Sequence, residues 1–64
     1  MYRNSDMKAA IDEYVHVTWQ REACRLKFCE GYTYEQIAEK LGYSTQHIKA
    51  TVKRHKETLF SILS

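Results

Sequence analysis

Between Ser44 and Lys56 the chain carries Lys49, Lys53, Arg54 and Lys56 and no acidic residue. Projected onto a helix at about 100° per residue, Thr45, Gln46, Lys49, Lys53 and Lys56 share one face. Side chains of these types together suit one kind of chemistry, hydrogen bonding to the edges of bases and to phosphate oxygens. The Gln46 amide can offer a paired donor and acceptor to adenine, Thr45 a methyl contact to thymine or a hydroxyl to phosphate, and Lys49 a donor to guanine acceptors or to the backbone. Ala50 permits close approach. Lys53, Arg54 and Lys56, farther along, suit phosphate contacts that set register without reading sequence. Four charges taken alone also fit an ordinary solvated helix face, so the weight rests on their concentration in one segment.

The rest of the chain supplies the contrast. Net charge is only +2 over 64 residues. From Met1 to Glu30, Arg3, Lys8, Arg21, Arg25 and Lys27 are balanced by Asp6, Asp12, Glu13, Glu22 and Glu30. Other chemistries find little support. No nucleophile has an evident base and orienting partner, and there is no glycine-rich phosphate loop, so the chain is not expected to be an enzyme or to need a cofactor. Cys24 and Cys29 have neither a disulfide-framework nor a paired metal-ligand spacing and read as small apolar residues of a reducing compartment. His16, His47 and His55 are scattered, so no metal site is expected. His55 reads as packed with one nitrogen satisfied, His47 as solvated or phosphate-facing. No apolar run approaches the roughly 18 residues of a membrane span and no signal-peptide pattern opens the chain, so no membrane association and a cytoplasmic location are expected.

Positioning these residues falls to helices. Proline is absent, only Gly31 and Gly42 interrupt the chain, and apolar residues recur at helical rather than strand spacing. The expected fold is all-α, a single domain over residues 1–64 with helices near 5–16, 18–30, 34–41 and 44–62. Ser5 is expected to cap the first helix, with Asp6 in its first turn and Met7, Ala10, Ile11 and Tyr14 inward. Thr18 is expected to cap the second, which bears two apolar stripes, Trp19, Ala23 and Leu26 on one side and Cys24 and Phe28 on another. Such a helix must be covered on two sides, by the first helix and by the pair that follows. Gly31 stops it. Thr33 and Gln36 form a capping box for a short helix with Tyr34, Ile37, Ala38 and Leu41 inward. Ala38 lets the next helix approach closely. Gly42 and Tyr43 make a turn, Ser44 caps the last helix, and Ile48, Val52, His55, Leu59 and Ile62 form its inward stripe.

On these residues the chain resembles region 4 of bacterial RNA polymerase sigma factors, and more distantly the LuxR-type response-regulator domain. The likeness covers Ala10 to about Leu59. It rests on Arg21-Glu22, on Leu26 to Phe28 ahead of Glu30-Gly31, on the block Tyr34-Glu35-Gln36-Ile37-Ala38-Glu39-Lys40-Leu41-Gly42, and on Ser44 with Ile48-Lys49. The resemblance implies a helix-turn-helix that reads an upstream promoter element with the helix running from Ser44 through Lys56. It also implies early helices and a carboxyl end that touch the polymerase flap. Trp19 and Gln20 depart from the proline-containing segment common in that family, and His47 and Ala50 also differ. Nothing matches the sigma region that melts DNA, so the expectation is a detached module of a small phage or mobile-element regulator, or the DNA-binding domain of a protein such as a small terminase subunit.

The expected function is sequence-specific binding of double-stranded DNA in transcription regulation, through Thr33, Ser44, Thr45, Gln46, Lys49, Ala50, Lys53, Arg54 and Lys56. A second reading is a protein-interaction module for RNA polymerase or another regulator. Leu59, Phe60, Ile62 and Leu63 exceed what one inward stripe needs. They either close the core against the first helix or, with Trp19 and Tyr2, form an apolar surface for a protein partner or a second copy of the chain.

Overall fold

A computed structural model describes residues 3–63. Among them are four helices, α1 (Asn4–Tyr14), α2 (Thr18–Phe28), α3 (Tyr34–Leu41) and α4 (Thr45–Leu63), and no strand. None of the four is long and apolar enough to cross a membrane. Tyr2, one of the expected contact residues, lies outside the described residues.

Helix α2 is the centre of the packing because it buries both of its stripes. One side, through Cys24, meets Met7, Ala10, Ile11 and Val15 of the α1 segment and Leu59 of α4. The other, through Ala23 and Leu26, meets Ile37 and Ala38 of α3 and Ile48 and Val52 of α4, with Trp19 against the edge. Phe28 touches both clusters. The two-stripe pattern read from the sequence corresponds to these two clusters. Helix α4 reaches both, so it closes the whole molecule.

The helix ends explain themselves, and both ends of α1 and of α2 differ from expectation. Helix α1 begins before Ser5: the Asp6 carboxylate accepts from the Arg3 N–H at 3.2 Å, so a side chain from inside the helix satisfies the amide ahead of it. It ends at Tyr14, two residues early, where the β-branched residues Val15 and Val17 disfavour helix. Thr18 is the first residue of α2 and no cap; Val17 precedes it in extended conformation with no capping side chain. The Arg21 guanidinium donates through Nε to the Val15 carbonyl at 3.0 Å, placing a cation on the carboxyl end of α1. Helix α2 ends at Phe28, also two residues early, and Gly31 turns the chain at φ +77°. Asn4 Nδ2 donates to the carbonyl of Cys29 at 3.3 Å, tying the start of α1 to the end of α2. The Thr33–Gln36 capping box forms in both directions, at 3.0 and 3.1 Å.

Two expectations about the core need correction, and one buried residue was not singled out in the sequence. Tyr14 is 44% exposed and Ile62 42% exposed, whereas Thr51 is buried. Tyr14 and Ile62 instead flank an open groove between α1 and the end of α4. Thr51 lies between Ile48 and Val52 on the buried face of α4.

Ala38 is 5% exposed and faces the α4 side of the second cluster. Ala38→Leu is expected to force α3 and α4 apart, costing about 1–3 kcal/mol, read by thermal denaturation as roughly 4–8 °C of Tm per kcal/mol.

Candidate nucleic-acid interface

The turn ahead of α4 is held at each step. Gly42 sits at φ +80°, a left-handed conformation that a side chain would strain. Its N–H and that of Tyr43 both donate to the Ala38 carbonyl, at 2.9 and 3.0 Å, which ends α3 and reverses the chain. Ser44 Oγ then accepts from the His47 N–H at 3.2 Å, and its carbonyl takes the first helical bond from Ile48 at 3.1 Å. Ser44 is therefore committed to capping. Thr33 is likewise committed at the start of α3, where its Oγ1 accepts from the Gln36 N–H. Both remain exposed, and each hydroxyl keeps a proton to donate.

Thr45, Gln46, Lys49, Ala50, Lys53, Arg54 and Lys56 are all exposed along α4. Its opposite face, Ile48, Thr51, Val52 and Leu59, is buried. The sequence-predicted set is thus gathered on one helix with its outward side open, while Thr33 stands apart on α3. Among the described residues the ion pairs are those of Arg25 with Glu22 and Glu30, both on the α2 side of the molecule. The hydrogen bond that Arg25 donates to Glu22, with the two nearby negative charges, raises the Arg25 pKa. Lys49, Lys53 and Arg54 are in no such pair. Lys56 Nζ lies 5.8 Å over the Phe60 ring.

Two successive residues at the start of α2 grip α4. The Trp19 ring stacks on Tyr43 at 4.3 Å between centroids and 26° between planes, and on His47 at 5.0 Å and 25°. Tyr43 and His47 lie 5.5 Å apart at 30°. Two turns on, His55 Nε2 is 2.9 Å from Gln20 Oε1; because that oxygen only accepts, the imidazole donates through Nε2. Trp19, expected as core or as a contact for a protein partner, is half-buried and engaged in this stack. His55 is packed with one nitrogen satisfied, as its place on the stripe suggests. The Tyr43–His47 contact had a sequence signal, since a spacing of four brings side chains together near a helix start. The third ring is distant in sequence, and only the fold brings it in.

Of the two readings of the carboxyl end, closure of the core against α1 holds for Leu59, Phe60 and Leu63. Leu59 is 0% exposed, closing the first cluster against α1, and is no surface contact. Phe60 and Leu63 pack partly against the same cluster, with the Phe60 ring 5.6 Å from Phe28. What remains open is a shallow groove of about 330 Å³ between α1 and the end of α4, lined by Asp6, Ala9, Ala10, Glu13, Tyr14, Ile62 and Leu63. Tyr14 and Ile62 are its exposed apolar walls. Cys24 and Cys29 are free thiols; burial pushes Cys24 up to about 12, which keeps it protonated and inert. No group of His, Cys, Asp and Glu that could hold a metal ion occurs among the described residues.

Compared with protein-family models, curated proteins and solved structures, the chain matches none.

Burial, then the neighbouring Arg54 charge, lowers the His55 pKa below its ordinary 6.5. The unfolded chain therefore binds this proton at higher pH than the folded one, and stability falls as pH drops from about 6.5 toward the lowered folded value. Thermal melts across pH 5 to 7.5 are expected to show a downward slope on acidification that is shallower in His55→Gln, which cannot titrate and keeps an amide donor for Gln20.

Proposed function

We propose that this chain binds double-stranded DNA with α3 and α4 acting as a helix-turn-helix, α4 lying in the major groove, as a regulator of transcription similar to region 4 of sigma factors. The observation that carries the reading is the outward face of α4. It starts at a capped, anchored first turn, presents Thr45, Gln46, Lys49 and Ala50 in the turns that would meet base edges, and continues into Lys53, Arg54 and Lys56. Their charges are free of acidic partners among the described residues, so phosphates would neutralise them without breaking an existing pair. Gln46 pairs with adenine, Lys49 with guanine or the backbone, and the later cations hold phosphates. Thr33 Oγ1 would add a hydrogen bond to a neighbouring phosphate.

A second reading is favoured by the groove between α1 and the end of α4. Its acidic rim and exposed Tyr14 and Ile62 fit a protein segment with basic and apolar side chains, and RNA polymerase is the partner this reading names. The two readings respond to different substitutions: Tyr14→Ala and Ile62→Ala would affect only the second.

Anisotropy titrations of labelled duplex at several salt concentrations test the first reading. The expected slope of log affinity against log salt is roughly −3 to −4.5, equivalent to about three to five phosphates at 0.9 each. Lys49→Ala and Gln46→Ala are expected to weaken binding by roughly fivefold or more with unchanged circular dichroism. Absence of salt-dependent binding by the wild type would remove this reading and leave the groove as the better candidate.

A further inference from the structure

The sequence leaves His47 as solvated or phosphate-facing and outside the set of assigned DNA contacts, yet its setting is the most constrained on the exposed part of α4. It occupies the first turn, three residues after the cap, and its backbone N–H is used by Ser44 Oγ. Its ring lies near-parallel against Trp19 and Tyr43, which also stack on each other. Neither ring nitrogen has a hydrogen-bond partner among the described residues. The contrast with His55 is direct, because that imidazole is half-buried and spends Nε2 on Gln20. A ring recruited only to seal the core would be covered, whereas His47 is exposed.

We infer that His47 is a further nucleic-acid contact, its imidazole pre-set by stacking on Trp19 and Tyr43 so that a ring N–H meets an acceptor atom on the duplex. The inference rests on the DNA-binding reading above. A side chain already fixed in the free protein gives up little rotamer freedom on binding, so its hydrogen bond contributes more of its strength to affinity. Trp19 and Tyr43 are positioning residues in this arrangement. The acceptor is a phosphate oxygen or an N7 or O6 atom of guanine, both of which take an N–H donor.

The test is His47→Phe, which keeps a flat ring for the stack and removes both nitrogens. Its affinity is measured beside the wild type on a selected duplex and on a scrambled one, with circular dichroism as the fold control. Loss of one hydrogen bond predicts about three- to tenfold weaker binding to the selected duplex. An equal loss on both duplexes assigns the contact to phosphate. A larger loss on the selected duplex assigns it to a base edge, and the ratio is informative because a change in the folded fraction alters both affinities alike. Wild-type affinity in His47→Phe overturns the inference while leaving the DNA-binding reading intact. No binding by the wild type overturns that reading, and this inference with it. Should His47→Phe fail to fold, Tyr43→Leu decides in its place: it leaves the nitrogens but removes one stacking ring, and is expected to weaken binding about twofold or more, whereas unchanged affinity overturns the inference.

Discussion

The burial of α2 on both sides is the constraint from which the other features follow. A chain of 64 residues has little apolar material, and here it is divided between two clusters separated by one helix. Neither cluster closes without α4, which contributes Ile48 and Val52 to one and Leu59 to the other. Its inward face is therefore committed from its first turn almost to its last. What is left is a long outward face, where Lys49, Lys53, Arg54 and Lys56 stand without acidic partners among the described residues. The separation of the two faces is a consequence of the packing, with no special device needed to keep the basic side open.

Charge is distributed in keeping with this division. Arg21 caps the carbonyl end of α1 and Arg25 sits between two carboxylates, so these cations serve the scaffold. Exposed pairs of that kind contribute little to stability, of the order of 0–1 kcal/mol, but they do satisfy local charge. The cations of α4 have no such partner among the described residues. In the proposed reading their mutual repulsion, modest and screened by salt in the free protein, is relieved on the phosphate backbone. The cations that serve the scaffold and those offered to phosphate are then separate sets, whereas Thr33 and His47 would serve both folding and binding.

Much of this was legible in the sequence, for identifiable reasons. The boundaries of α3 and the capping of α3 and α4 were readable because Thr33, Gln36, Gly42 and Ser44 act on residues within four positions, where local chemistry decides. The two stripes of α2 were readable because periodicity is a property of one helix. The failures share the opposite character. Ser5 and Thr18 are good caps by type, but the helices started elsewhere because Asp6 could reach Arg3 and because Thr18 fitted the first turn. Tyr14 and Ile62 lie on the correct stripe, and whether a stripe residue is covered depends on how far the neighbouring helix extends. Leu59 illustrates the same limit, since its position at the end of an apolar excess left core and surface open until α1 was placed against it. Trp19 joins Tyr43 and His47 only through the fold, so no pattern in α2 or α4 alone discloses the stack.

That stack bears on how the outward face would act. Helix α4 is fixed at three levels: the Ser44 cap at its first amides, the Trp19 and Tyr43 rings beside His47, and the Gln20 bond at His55. The first sets where the helix begins, the second limits its rotation about its axis, and the third repeats that limit two turns later. A helix anchored only by apolar contacts can roll slightly, because dispersion and burial are non-directional. Hydrogen bonds and stacked rings have preferred geometries and resist such rolling. Base-edge contacts need side chains placed to within a fraction of an ångström, whereas phosphate contacts by flexible lysines tolerate more. Directional anchoring concentrated at the amino-terminal half of α4 thus matches the half whose polar side chains need it. The carboxyl-terminal turns carry Phe60, whose ring meets Phe28, and Ile62, which is exposed.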